Sequence, residues 1–218
     1  MPHAPSSSRS LVPLPGRRQS LLWLAASAAG LLSGCDRLSP FGQPAAPAFK
    51  GIDITGADYA HGFSLTDFNG QARTLADFKG RVVMLYFGFV QCPDVCPTAL
   101  TRAATVMERL GPRAGDLQVI FVTVDPERDT PELLRDYMAA FHPSFLALTG
   151  SAEQIAQTAQ DFRVFYKKVP TGSSYTMDHT ALSYLIDRQG RIRVALRHEQ
   201  TADDYTADVR ALLDAPAS

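Results

Sequence analysis

Cysteine is scarce in this chain. Three in 218 residues are too few to staple a small disulfide scaffold. Neither sign of charge prevails, with 22 acidic against 21 basic side chains, so the basic excess that builds a nucleic-acid footprint is missing. Fifteen Gly and fifteen Pro are close to average and exclude collagen-like and low-complexity classes. No internal repeat is visible. What remains, 45% hydrophobic and 20% charged, is ordinary globular composition at a length that suits one sizeable domain.

The first 34 residues read as an address. Met1–Gly16 is rich in Ser and Pro and holds no acid, Arg17 and Arg18 follow, and an apolar run extends from Leu21 to Leu32. That run falls short of the ~20 residues that span a bilayer, and a short apolar core behind a positive region marks a signal peptide. It ends in Leu32-Ser33-Gly34-Cys35, which resembles a lipobox, with Cys35 as the thiol that takes the lipid. The Arg17-Arg18 pair bears a weaker likeness to a twin-arginine signal. Asp36 resembles the residue that keeps enterobacterial lipoproteins in the inner membrane. The expected organisation is a signal peptide at 1–34, a flexible tether at 35–50 and one domain at 51–218. Pro40, Pro44 and Pro47 make the tether extended. Without the leader, 18 basic and 22 acidic side chains remain, and Cys92 and Cys96 are the one unlipidated pair.

Beyond the tether, strand and helix signals alternate. Phe63–Asp67 alternates apolar and polar residues before an Asn69-Gly70 turn. Arg81–Val90 and Leu117–Val124 are nearly continuous apolar runs, as in strands buried on both faces. Helices are expected from Pro97 to Leu110, from an N-cap at Thr130 through Phe141, over Ala152–Phe162 and over Ala202–Leu213. Short strands are expected at Phe145–Leu148, Thr180–Ile186 and Ile192–Leu196. This order implies an α/β layer fold with the Arg81–Val90 strand near the centre of its sheet. Cys92 and Cys96 then lie just beyond the carboxyl end of that strand, in the crevice where open α/β sheets place their ligands.

Two thiols three residues apart can bind a metal, exchange a disulfide or form a structural bridge. A helix start favours the thiolate, and Pro93 and Pro97 are expected to stiffen the loop and prevent a regular helix across it. Two thiolates are soft donors that select Cu(I) or Zn over hard cations. A tightly held ion needs a third ligand, for which the mature chain offers His61, His142, His179 and His198. His179 stands out by context, because it follows Asp178 and directly precedes the Thr180–Ile186 strand. Spacing alone does not select it.

The segment FSLTDFNGQARTLADFKGRVVMLYFGF resembles the opening of the thioredoxin superfamily, especially its peroxiredoxin and TlpA-like branches. Three ordered blocks, GFVQCPDVCPT, VTVDPERDTPELLRDY and YTMDHTALSYLID, resemble the SCO (SenC/PrrC) family of copper chaperones, with the likeness covering about Gly51–Leu213. The resemblance implies a thioredoxin-like fold, a central mixed sheet flanked by helices, with an N-terminal hairpin extension. It places His179 where thioredoxin relatives carry a proline facing the two cysteines, and so implies a copper site of Cys92, Cys96 and His179. Two thiolates and an imidazole suit Cu(I) and accommodate Cu(II) with an added ligand, whereas structural Zn normally has four closed ligands. Asp178 is a candidate to orient the imidazole or tune its basicity, the alternative being a plain exposed charge beside the strand. Met177 shares a strand face with His179, but a core role is favoured over ligation. The DPERDTP stretch matches the family: Asp125, at the carboxyl end of the second buried strand, is expected to line the same crevice, and Arg128 and Asp129 are read as a local ion pair with capping in preference to partner contacts. Tyr86, Phe87 and Phe89 are read as core, with Gly88 allowing close packing beneath the loop.

The resemblance implies a copper metallochaperone on the periplasmic side of the bacterial inner membrane. It would be held by its lipid and would deliver copper to the copper A subunit of cytochrome c oxidase. An upstream periplasmic copper donor or thiol reductant is implied as a second partner, and no nucleic acid. The competing expectation is a thiol–disulfide oxidoreductase with Cys92 and Cys96 as its redox pair. Against it stand the three-residue spacing and the histidine, which such an enzyme does not need. The two roles are compatible, because a Cys92–Cys96 disulfide abolishes metal binding. A thiol peroxidase is disfavoured, since no Thr stands three residues before Cys92.

Overall fold

The computed structural model describes residues 48–216. The expected signal peptide, Cys35 and most of the tether lie outside the described residues. Ten strands are numbered in chain order: β1 (Ile52–Asp53), β2 (Ser64–Asp67), β3 (Ala72–Thr74), β4 (Val82–Gly88), β5 (Leu117–Thr123), β6 (Leu146–Thr149), β7 (Tyr166–Thr171), β8 (Ser174–His179), β9 (Ser183–Ile186) and β10 (Ile192–Leu196). Four α-helices accompany them: α1 (Val95–Leu110), α2 (Pro131–Ala139), α3 (Ala152–Asp161) and α4 (Ala202–Asp214). Eight strands form one mixed sheet in the order β1-β10-β9-β4-β5-β6-β2-β3, and β7 pairs with β8 apart from it.

The two apolar runs become the central strands. Every residue of β4 and β5 is buried, and they pair in parallel from Val82 opposite Leu117 to Gly88 opposite Thr123. Because β4, β5 and β6 are neighbours stepping in one direction, right-handed crossovers put α1 and α2 on the same face. Successive β4 side chains face opposite sides. Tyr86 points toward that helical face and lies against Phe121, while Phe87 points the other way and meets Phe162 at the end of α3. The chain then returns past β4 to lay β9 antiparallel on its other edge. The expected N-terminal hairpin is β2–β3, which extends the sheet antiparallel beyond β6.

Helix α1 differs from expectation at its start. It begins at Val95, with Thr98 N donating to Asp94 O at 3.1 Å, so Cys96 and Pro97 sit in its first turn. The proline does not prevent this, because first-turn N–H groups need no intrahelical partner. Gly111, at φ 55°, ends the helix in a conformation that favours glycine. Thr130 caps α2 as expected, its side chain accepting from Leu133 N, and Pro131 occupies the first position. The largest addition is the β7–β8 hairpin, which turns at Gly172 (φ 60°) and ends on His179. The strand expected from Thr180 starts only at Ser183, and the residues between carry the chain from the hairpin back into the main sheet.

Candidate metal centre

The carboxyl ends of β4 and β5 stay joined past the last strand pair, with Val124 N donating to Gly88 O at 2.8 Å. From this shared end the chain departs into two loops: Phe89–Asp94, which leads into α1, and Val124–Thr130, which leads into α2. Cys92 sits in the first loop, fixed by a bond from its own N to Phe89 O at 3.2 Å. Cys96 sits one helical turn on, and its N donates to Cys92 Sγ at 3.5 Å. Both cysteines are buried and free.

Gly88 is the floor under Cys96. An added Cβ there would lie 2.8 Å from Cys96 Sγ and 2.7 Å from Phe121 Cε2, so only glycine lets the thiol seat on the strand. The expectation of close packing beneath the loop is realised in that contact. Tyr86 closes another side, its hydroxyl 4.0 Å from Cys96 Sγ.

His179 reaches the thiols from the hairpin. Its Nε2 lies 3.5 Å from Cys96 Sγ, and its ring stands edge-on to Tyr86 and Phe89 with centroids 6.1 and 5.8 Å away. The other ring nitrogen, Nδ1, faces the carbonyl of Thr180 at 3.1 Å. A carbonyl only accepts, so Nδ1 carries the proton and Nε2 presents a lone pair toward the sulfurs. Histidines that ligate metals are commonly oriented this way.

The three donor atoms of Cys92, Cys96 and His179 all lie within 4.8 Å of one another. An ion bound at the ~2.0–2.3 Å typical of N and S ligands separates its donors by roughly 3.5–4 Å, so the group fits a metal after a contraction of about 1 Å. The donor set, two sulfurs and one imidazole, selects a soft or borderline ion. The Cys96 thiol, hydrogen-bonded to the Cys92 sulfur, holds the Cys92 thiol well below its ordinary range, against the effect of burial. That same bond, together with burial, pushes Cys96 up. The two shifts run in opposite directions, so Cys92 is the thiol that favours the thiolate form.

Asp178 does not orient the imidazole: it is exposed, and the Thr180 carbonyl holds Nδ1 instead. Neighbouring residues of a strand face opposite sides, so a residue adjacent to an inward histidine points outward. Met177 is 5% exposed in the core, as favoured. His61 and His142 lie apart from the cysteines, with His61 beside Asp58 and His142 bonded to Ser144. His198 is likewise outside the three-residue group.

The DPERDTP loop is built into the site more deeply than a local ion pair. Asp129 accepts from Thr123 Oγ1 at 2.6 Å and from Val90 N at 3.1 Å, which ties the two loops together. Burial raises its carboxyl to about 6 against those two bonds. Sequence reasoning missed Tyr175 and Gln91, which meet Arg128, and Thr180, whose role is carried by its backbone. No spacing signal announces such partners, because they lie on three separate chain segments.

A family model described as SCO1/SenC matches residues 53–214. The chain is 42% identical over 132 residues to an SCO2-like protein of Rickettsia prowazekii, covering 59% of this chain and 64% of that relative's length. Among solved structures it is similar to Bradyrhizobium japonicum ScoI with copper bound, at 41% identity and TM-score 0.66, covering 71% of this chain and 99% of that one. It is also similar to a SCO1/SenC family lipoprotein from Bacillus anthracis, at 26% identity and TM-score 0.65, covering 77% of this chain and 100% of that one. The match runs through both cysteines, the DPERDTP loop and the histidine hairpin, and by it the chain belongs to the SCO1/SenC family.

Proposed function

We propose that this protein carries copper on Cys92, Cys96 and His179 and delivers it to the copper A centre of cytochrome c oxidase. One observation carries the reading: the Thr180 carbonyl fixes the imidazole so that its Nε2 lone pair faces the two sulfurs. The copper held by a solved relative at 41% identity supports the choice of metal. The ion is cargo here. Three protein donors leave a coordination position open, through which an acceptor's ligands enter before these leave. Metal binding releases any proton still held on the cysteines, since thiolate is the ligating form.

The reading extends to the part of the chain before the domain. Cys35, lipidated after removal of residues 1–34, anchors the protein at the periplasmic face of the inner membrane, and residues 35–50 lift the domain off it. The lipoprotein relative supports this anchor. Tethering donor and acceptor to one membrane raises their effective concentration. The upstream partner is a periplasmic copper donor or a reductant that keeps both thiols open.

A second reading rests on the same pair. A buried thiol donating to a low-pKa thiolate is also the arrangement of a disulfide-exchange site. His179→Ala separates the two. Under the copper reading it abolishes tight Cu(I) binding and leaves the dithiol reactive. Copper retention equal to the parent's, with rapid reduction of a disulfide peptide, supports the oxidoreductase instead.

A further inference from the structure

The hairpin that brings His179 to the site pairs with no other strand among the described residues. Something other than a backbone ladder must hold it over the cysteines. Tyr175, Met177 and His179 share one face of β8. Met177 is buried in the core and His179 meets the thiols. Tyr175 meets Arg128.

That contact joins three segments. Arg128 Nε donates to Asp125 Oδ2 at 2.5 Å, and Nη1 donates to Tyr175 O at 2.8 Å and to Gln91 Oε1 at 3.1 Å. The guanidinium lies 3.7 Å from the centroid of the Tyr175 ring. Tyr175 in turn donates its hydroxyl to the other Asp125 oxygen at 2.9 Å. The Arg128 side chain is 17% exposed and Asp125 only 1%, so the cluster is largely shielded from water. Gln91 precedes Cys92, and Tyr175 stands four residues before His179. A bond between Arg128 and Asp125 alone would serve only their own loop. The bonds to Gln91 and Tyr175 reach the two chain segments that carry the metal donors.

We propose that Arg128 is a positioning residue for the third metal ligand: its guanidinium ties the hairpin to the cysteine loop and thereby holds the His179 imidazole over the two sulfurs. A planar group is suited to this, because it spans three acceptors in fixed directions while stacking on a ring. The copper consequence rests on the function proposed above, whereas the tie itself is testable without metal.

The test compares Arg128→Gln and Arg128→Lys with the parent full-length protein. In the metal-free state, amide hydrogen exchange is read over Ser174–His179 and, as an internal control, over Leu117–Thr123. Loss of hydrogen bonds to a charged group should speed exchange in the hairpin by about 10- to 100-fold in Arg128→Gln, with the control strand unchanged. Lysine should restore only part of the protection, since a point charge cannot bridge and stack at once. In Cu(II)-loaded protein, the imidazole nitrogen coupling seen by pulsed electron paramagnetic resonance should weaken in the same order. Should Arg128→Gln fail to fold, Tyr175→Leu, at a half-buried position, carries the test: selective loosening of the hairpin supports the tie, and parental exchange refutes it. Unchanged hairpin exchange in Arg128→Gln, or equal loosening of hairpin and control strand, overturns the proposal. A parent without imidazole coupling removes the copper reading and leaves the exchange result to judge the tie.

Discussion

Replacing Gly88 by alanine puts one methyl group between the strand and the thiol that rests on it. Gly88 does not adopt a left-handed backbone, so the substitution is purely steric. The new Cβ would lie 2.7 Å from Phe121 Cε2 and 2.8 Å from Cys96 Sγ, against the ~3.5–4.0 Å of ordinary contact. Close to 1 Å must therefore be found. Phe121 and Cys96 are both 0% exposed, so neither can relieve the contact by moving into solvent. Overpacking of this kind costs about 1–3 kcal/mol, which lowers Tm by roughly 2–4 °C for each kcal/mol in a domain of this size. Sγ moves more readily than a ring wedged in the core, and a shift approaching 1 Å exceeds the ~0.5 Å within which a functional constellation must be held. The expected outcome is a joint loss of metal-free stability, read by denaturant midpoint, and of Cu(I) affinity, read by competition with a chromophoric chelator. A variant matching the parent in both would refute the claim that Cys96 is seated by the absence of a side chain beneath it.

Two further outcomes test parts of the account remote from the thiols. Asp187, at the β9–β10 turn, is 3% exposed and accepts from the backbones of Gln189 and Arg191 and from the side chains of Arg191 and Arg193, each at 3.0 Å. Asp187→Ala should cost about 3 kcal/mol, chiefly by stranding the Arg193 guanidinium. Burial acts to raise the Asp187 carboxyl, but those bonds outweigh it and leave it below its ordinary 3.8. A depressed folded-state value means the contribution is full above the unfolded value and lost as pH falls through the folded one. The gap between parent and variant midpoints should therefore be constant from pH 7 to about 5 and close below about 4. Cys35→Ser should release the protein from membranes with copper binding intact. A variant that stays membrane-bound would mean that the leader remains as an uncleaved anchor.

The central strands, the helices and the cysteine loop were legible in the sequence because each is dictated locally. A run such as Arg81–Val90 admits few structures other than a strand buried on both faces, and Thr130-Pro131 caps a helix by its own side chain. The β7–β8 hairpin was not legible. Tyr166–Thr171 is mostly exposed, lacks clean alternation and contains Pro170, so no periodicity marked it. The placement of Asp178 failed for a related reason: without the strand, nothing fixed which of two adjacent side chains turns inward. Composition singled out the cysteines, and family resemblance was needed to select His179 among four histidines. The partners of Arg128 became visible only when the fold brought positions 91, 128 and 175 together.

The most direct measurement is X-ray absorption at the copper edge on the reduced protein loaded with one equivalent of Cu(I). The account predicts two sulfur neighbours and one nitrogen neighbour in the parent, and the nitrogen lost in His179→Ala. A sulfur-only site in the parent, or a nitrogen that survives removal of His179, would contradict it.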